Sequence, residues 1–402
     1  MRPANIKAGI FAVGVIDWNR RMFDSLIPLP DGTSYNSFLV QGSEKTALID
    51  TVDPVVAGSL FKHLEQAGVN RIDYVIANHA EQDHSGSIPA VLEKFPEAKA
   101  VCSVKCKEFL QDLLHIPAER IMEVQDGQTL SLGNRTLKFL YTPWVHWPET
   151  MVTYLQEDKI LFSCDFFSSH LATSDLYVVD EARVYEAAKR FFAEIMMPFR
   201  ANIEKNLEKI KDLPMDLIVP SHGPIYDNPQ FIVKLWRSWV FDEPRNKAII
   251  AYVSMHGSVA LMADHLAQSI ARKGVEVRLY DLAVADIGKL AIDLVDSATI
   301  ILGTPTVLAG PHPVAAHAVF LVNALRPRLK YAGIVGSYNW GGKTLETIKA
   351  MLSNLSNIEL LEPILIKGMP REKDYINLEK MADAVVEKHR NLAKTLPLHV
   401  IC

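Results

Sequence analysis

The chain has 402 residues, of which 49% are hydrophobic and 22% charged, and it carries a formal net charge of −5. This length exceeds what one ordinary core organises and predicts two or three domains, while the apolar content excludes a disordered chain. No basic excess is available to neutralise phosphates, which argues against a general nucleic-acid binder, and no apolar run is long enough to cross a bilayer.

Met1-Arg2-Pro3-Ala4-Asn5 lacks the apolar core of a secretion signal, so a cytoplasmic location is expected. Arg20-Arg21 is too short to form a basic patch. Residues 11–16, 36–41 and 46–50 read as strands, separated by Pro30-Asp31-Gly32 and Gly42-Ser43. A helix is predicted over 56–67 and an apolar strand over 72–77, and after Gly86 the residues Ile88, Val91, Leu92 and Phe95 recur at helical spacing. Strands return at 100–102, 129–132 and 135–141. A mixed sheet sandwiched by helices is the simplest arrangement. Cys102, Cys106, Cys164 and Cys402 are too few and too irregular for a disulfide framework, and no pair of C-x-x-C motifs offers a tetrathiolate site. Cys102 and Cys106 read as ordinary thiols.

Between the strand at 72–77 and the following helix lies His79-Ala80-Glu81-Gln82-Asp83-His84, four metal-ligand types within six residues, expected on a loop. Alone, such a run also fits a solvated turn. The pattern recurs, however. The strand at 135–141 is followed by His146-Trp147-Pro148, that at 159–163 by Cys164-Asp165, and that at 215–219 by Pro220-Ser221-His222-Gly223. Strand ends brought to one edge of a sheet gather residues distant in sequence, so these seven candidates predict one site. Trp147 and Pro148 are expected to brace the loop carrying His146. Cys164 is expected to be structural, because successive strand residues point apart.

The run H-x-E-x-D-H, followed by His146, Asp165 and His222, resembles the metallo-β-lactamase-type domain of flavodiiron proteins. The resemblance implies that His79, Glu81 and His146 hold one iron, that Asp83, His84 and His222 hold the other, and that Asp165 bridges them. Most hydrolases of that superfold carry a His at the position of Glu81. A mixture of carboxylates and imidazoles without thiolate suits iron or manganese, although affinity order alone leaves zinc open.

Helices are predicted at 181–192, 202–210 and 230–240, and the polar segment 241–246 suggests a boundary, giving domains 1–246 and 247–402. Beyond it strands at 248–253, 275–280, 298–302, 331–335 and 359–366 alternate with helices, the first helix at 259–272, as in a doubly wound parallel sheet of five strands. Three strand-end loops stand out. Ser254-Met255-His256-Gly257-Ser258 offers hydroxyls and backbone N–H groups that can cradle a phosphate without a cation. The absence of a Walker lysine and of G-x-G-x-x-G disfavours a nucleoside triphosphate or a dinucleotide. Gly303-Thr304-Pro305-Thr306 and Gly336-Ser337-Tyr338-Asn339-Trp340-Gly341-Gly342 suit the edges of a flat ring, with loop packing as the alternative role for Tyr338 and Trp340. The three loops resemble those with which flavodoxins bind FMN. This chain departs from them at Val259, where a hydroxyl is usual, leaving one phosphate hydrogen bond missing or otherwise supplied. His256 reads as a spacer, and His312 and His317 as surface or packing residues.

The fold class expected is therefore α/β: a metallo-β-lactamase-like αββα sandwich, then a flavodoxin-like doubly wound parallel sheet. The resemblance implies FMN, two non-haem irons, and reduction of O2 to water or of NO to N2O. It further implies an external electron donor such as rubredoxin and a head-to-tail homodimer or dimer of dimers. Two alternatives stay open: a zinc hydrolase with an appended flavodoxin module, and a flavodoxin-type electron carrier with an inactive first domain.

Overall fold

Short β-rich runs pair early and the later segments alternate strand with helix, so two separate sets of sheets form. The structure, a computed structural model, describes residues 3–355 and 357–395. Met1–Phe192 with Phe199–Val240 form one compact unit, and Ala193–Pro198 with Phe241–Cys402 the other.

In the first unit a seven-stranded sheet runs Ala4–Lys7, Ile10–Ala12, Phe38–Gln41, Thr46–Ile49, Tyr74–Ala77, Lys99–Ser103 and Ile121–Val124. A five-stranded sheet runs Thr129–Ser131, Thr136–Tyr141, Met151–Leu155, Ile160–Cys164 and Leu217–Pro220. Alternation decides which face each residue serves. Phe38, Val40, Ala47, Ile49, Ile76 and Val101 meet Leu137, Phe139, Leu155, Ile160, Phe162 and Val219 between the two sheets. Their neighbours Leu39, Leu48, Val75, Ala77 and Ala100 point the other way, onto Leu60, Leu64, Ile88, Val91 and Leu110 of the helices. Val152, Tyr154, Leu161 and Ile218, which turn away from the sandwich interior on the second sheet, are buried as well. The layers are those of an αββα sandwich.

Several elements differ from expectation. The strand predicted at 11–16 is two, Ile10–Ala12 and Val15–Asp17, which pair with different partners on either side of Gly14. Ala Cβ at position 14 would lie 2.3 Å from the Tyr35 carbonyl oxygen, so the chain can cross there only as glycine. The strand Met151–Leu155 and the helix Val104–Leu114 have no counterpart in the sequence reading. Met151–Leu155 is buried at every residue, so it lacks the alternation that marks a half-exposed strand.

The second unit is a parallel sheet in the spatial order Glu276–Asp281, Arg245–Tyr252, Ser297–Val307, Tyr331–Tyr338, then a fifth strand in two pieces, Glu359–Leu360 and Ile364–Lys367. The single strand expected at 359–366 is interrupted because Pro363 has no N–H to give to the ladder. The spatial order 2-1-3-4-5 places the topological switch between the first and third strands. Two of the expected loops are strand instead: Thr304, Pro305 and Thr306 continue Ser297–Val307, and Ser337 and Tyr338 end Tyr331–Tyr338. The chain turns one step later, at Leu308-Ala309 and Asn339-Trp340.

Phe162 is fully enclosed between the two sheets, with its ring 5.5 Å from that of Phe38. Phe162→Ala is expected to lower stability by about 3–5 kcal/mol, measured by denaturant unfolding; a loss under about 1 kcal/mol would contradict this packing.

Candidate functional site

Each of the seven candidate ligands sits where a strand of the first unit has just ended. His79 follows Tyr74–Ala77 through Asn78, Asp165 directly follows Ile160–Cys164, and His222 follows Leu217–Pro220 through Ser221. Asp83 and His84 lie on a one-turn helix, Gln82–Ser85, rather than on the expected loop. Ser85 Oγ closes that turn on the Ala80 carbonyl at 2.5 Å, and Thr51 binds the His84 carbonyl through its N–H and its hydroxyl. Buried polar ties fix the strand ends. The Asp50 carboxylate accepts from the N–H and the side-chain amide of Asn78, and Thr153 Oγ donates to Asn78 Oδ1 at 2.7 Å from the other sheet. After His222, Gly223 is left-handed (φ +84), and a Cβ there would lie 2.1 Å from Ser169 Oγ.

These ends bring the ligand atoms into two groups that share one carboxylate. Glu81 Oε2 is 3.2 Å from His79 Nε2 and 3.1 Å from His146 Nε2, and Asp165 Oδ2 is 3.7 and 3.4 Å from the same two nitrogens. On the other side Asp83 lies 3.3 Å from His84 Nε2 and 3.2 Å from His222 Nε2, while Asp165 Oδ1 lies 3.2 and 3.4 Å from them. Donors around a cation at ~2.1 Å are separated by about 3.0 Å in octahedral and about 3.4 Å in tetrahedral geometry. All but the 3.7 Å separation fall within that range.

The same atoms explain an otherwise costly feature. Both oxygens of Asp83, His84 Nε2 and Asp165 Oδ1 are buried with no hydrogen-bond partner. Stranding buried carboxylate oxygens costs several kcal/mol unless a cation faces them. The donor set therefore fits two metal ions, and its mixture of imidazole and carboxylate fits iron. Cys164 Sγ falls within 4.8 Å of donor atoms of His84 and Asp165, but burial pushes its pKa far up and keeps it a thiol.

Electrostatics describe the same preference for positive charge. Burial works against protonated imidazoles, yet hydrogen bonds donated to Glu149 and Glu81 hold His79 well above its usual range. Against the same burial, Asp165 and Glu81 raise His146 to about 9, and Asp165 and Asp83 raise His222 to about 10. Despite its burial, the charge of His84 and the neighbouring imidazoles of His146 and His222 hold Asp165 well below the carboxylate range. Bound cations take the place of those protons, so metal uptake releases them.

Several supporting groups were missed by the sequence reading. Glu149 Oε1 accepts from His79 Nδ1 at 2.7 Å, which leaves Nε2 turned to the metal side. Its only sequence signal is an acidic residue three positions beyond His146, ahead of an apolar run. His222 Nδ1 donates to the Ser34 carbonyl at 2.5 Å, and His170, its ring 4.6 Å from that of His222, meets Thr33 Oγ1 at 2.9 Å. Burial and the charge of His222 hold His170 well below the usual range, hence neutral. Trp147 sets its ring edge-on to His79 at 5.0 Å, so the residue expected to brace a loop also packs on a ligand.

In the second unit the remaining candidates gather at the carboxyl ends of the first, third and fourth strands. Gly257 is left-handed (φ +88) just before the helix Ser258–Arg272, and its N–H donates to Ser254 Oγ. Ser258 Oγ meets Ser337 Oγ at 2.7 Å, joining the first loop to the fourth strand. Thr304 Oγ1 accepts from the His312 N–H, and Thr306 Oγ1 meets Thr344 Oγ1 at 2.8 Å. His312 is thereby a helix cap, its Nδ1 accepting from Val314 N–H ahead of Pro313–Leu325. Met255, Leu308, Tyr338 and Trp340 leave 49, 89, 37 and 66% of their surface exposed. Lying at or past the carboxyl ends of the first, third and fourth strands, they offer an exposed apolar rim that fits the face of a flavin.

Fold and site together define a two-module protein, a sandwich of the metallo-β-lactamase type followed by a flavodoxin-like doubly wound sheet. Residues 33–223 match the model of the ODP family beta lactamase. The chain is similar to the nitric oxide reductase of Moorella thermoacetica, with 34% identity over 383 residues covering 93% of this chain and 95% of that one. It is also similar to the solved structure of rubredoxin oxygen:oxidoreductase from Desulfovibrio gigas, at 30% identity and a TM-score of 0.93, covering 97% and 99% of the two chains. The flavodiiron protein of Giardia intestinalis matches at 29% identity and a TM-score of 0.89, over 97% and 98%. The chain belongs to the flavodiiron protein family, whose cofactors are FMN and a non-haem di-iron centre.

Glu149→Gln is expected to weaken iron binding roughly 10- to 100-fold with the fold intact, read by competitive chelator titration. A pH test follows from the raised imidazoles. A group raised in the folded state stabilises below its unfolded pKa, ~6.5 for His, and that stability is lost as pH rises through the folded value. In metal-free protein the melting temperature is expected to fall between pH 7 and 10, and to fall less in His222→Gln. An equal fall in both proteins would refute it.

Proposed function

We propose that the chain is an O2 and/or NO reductase in which His79, Glu81 and His146 hold one iron, Asp83, His84 and His222 the second, and Asp165 joins them. The observation that carries this reading is the division of Asp165, one oxygen facing each group of ligands. When bound, a diferrous centre and reduced FMN supply two electrons each, which is the demand of O2 reduced to two waters and more than two NO molecules need. The chain's own residues set the conditions for that chemistry. Asp165 would hold both ions, one oxygen toward each, and Glu149 fixes the tautomer of His79. His146 and Glu81 keep 13 and 11% of their side chains exposed whereas the other ligands are nearly enclosed, so the opening lies on their side and water is excluded elsewhere.

Residues 1–246 are proposed as the di-iron domain and 247–402 as the FMN domain, with flavin contacts from Ser254 to Ser258, Thr304 to Thr306 and Ser337 to Gly341. Relatives named for rubredoxin support a separate small electron donor, rubredoxin or another reduced carrier. Among the described residues no helix is long and apolar enough to cross a membrane. The buried thiols Cys102, Cys106 and Cys164 favour a reducing, cytoplasmic setting. Exposed Trp18, Met22 and Leu26 in one unit and the apolar rim of the other support a head-to-tail homodimer, since exposed apolar surface of this kind is usually covered by a partner.

The decisive measurement is turnover of the anaerobically reduced protein with O2 and with NO, alongside metal analysis. Two irons and one FMN per chain are expected, and Asp165→Ala should lose at least about 100-fold in rate. Zinc without iron would transfer the site to hydrolysis, and full gas reduction by Asp165→Ala would leave only a flavodoxin-type carrier. On dilution, activity per chain should fall as the dimer dissociates; a fully active monomer would overturn the dimer.

A further inference from the structure

The loop that faces the expected flavin phosphate carries two hydroxyls, Ser254 and Ser258, and both also take part in contacts within the protein. Ser258 Oγ is engaged with Ser337 Oγ, and Ser254 Oγ accepts from Gly257 N–H. Met255 is apolar. Val259, at the start of the helix, is fully buried in the core with Ala248, Ile250, Met262 and Ile301, and its Cγ1 would lie 3.0 Å from a Cβ at Gly303. It faces the sheet and has no polar atom to offer a ligand.

The hydroxyls and the backbone offer neutral donors, and the loop adds one imidazole. The helix Ser258–Arg272 has fifteen residues, and its first N–H groups have no intrahelical acceptor. Those dipoles suit an anion, but a phosphate monoester carries nearly two negative charges at neutral pH. His256 is the one residue between Val253 and Val259 that can bring a positive charge. It is exposed, it immediately precedes the left-handed Gly257, and among the described residues no hydrogen bond or ion pair engages its side chain.

Resting on the FMN reading above, we infer that His256 is a phosphate ligand, donating a ring N–H to an oxygen of the flavin phosphate where Val259 offers nothing. The geometry around it fits this task. Gly257 at φ +88 turns the chain between His256 and the helix start, and a Cβ at Gly257 would meet no atom within 4 Å, so the space beside the turn is open. The ring part of the cofactor is held separately, at the apolar rim of Tyr338 and Trp340. Phosphate and ring contributions are therefore separable by experiment.

The test uses flavin-free full-length protein titrated with FMN and with riboflavin, which lacks the phosphate, followed by quenching of flavin fluorescence. Wild-type protein should bind FMN more tightly than riboflavin. In His256→Leu the preference for FMN should shrink roughly ten- to a hundredfold, the worth of a charge-assisted hydrogen bond, with riboflavin affinity unchanged. His256→Asn, which keeps a donor without charge, should fall between. An unchanged FMN preference in His256→Leu overturns the assignment alone, as does an equal loss of both ligands, which would mean that the side chain shapes the pocket instead. A wild-type protein that binds neither flavin overturns the FMN reading and this assignment with it.

Discussion

Four imidazoles and three carboxylates are crowded into the interior of the first unit, and that crowding is tolerable only if opposite charges alternate. Asp165 is the point about which they alternate, since each of its oxygens faces two imidazoles from a different group. Coulomb energy between unit charges at about 4 Å rises from about 1 kcal/mol in water to about 4 at an effective dielectric of 20. A misplaced carboxylate in this setting is expensive, and a well-placed cation is strongly held. Much of the local structure answers to that demand. The one-turn helix at Gln82–Ser85, the left-handed Gly223 and the Asn78 ties to Asp50 and Thr153 all serve to fix the chain beside the candidate ligands.

The second unit solves a different problem with different means. Its ligand is large, flat and only partly charged, so the site is an open rim instead of a buried cage. The parallel sheet supplies it almost without cost, because the strand order leaves a crevice at the switch point where successive loops diverge. Small residues and hydroxyls then link the loops to one another, as Ser258 does to Ser337.

The candidate ligands could be picked out from the sequence because they follow apolar runs that end abruptly, and strand ends are the best-marked points in a sheet protein. The same logic pointed to the loop after Tyr252 and to the aromatic pair Tyr338 and Trp340 as candidates. Other features left no such mark. Met151–Leu155 is buried on both faces and shows no alternation. Glu149 matters through a hydrogen bond to a histidine seventy residues earlier, a relation that no local pattern encodes. Thr304 to Thr306 carry turn-forming residue types, yet pairing with Gly336, Ser337 and Pro311 holds them extended. Tertiary pairing overrides local preference there, as it does for β-structure in general.

The origin of the ligands has a mechanical meaning. His79, Glu81, Asp83 and His84 leave the seven-stranded sheet, whereas Asp165 and His222 leave the five-stranded one, so every ion bound between them ties one sheet to the other. The apolar sandwich is nondirectional and tolerates sliding; coordinate bonds do not. The metal pair then acts as a cross-link that fixes the register of two layers, much as a disulfide restrains distant segments, but one that a chelator can remove and a fresh ion can restore.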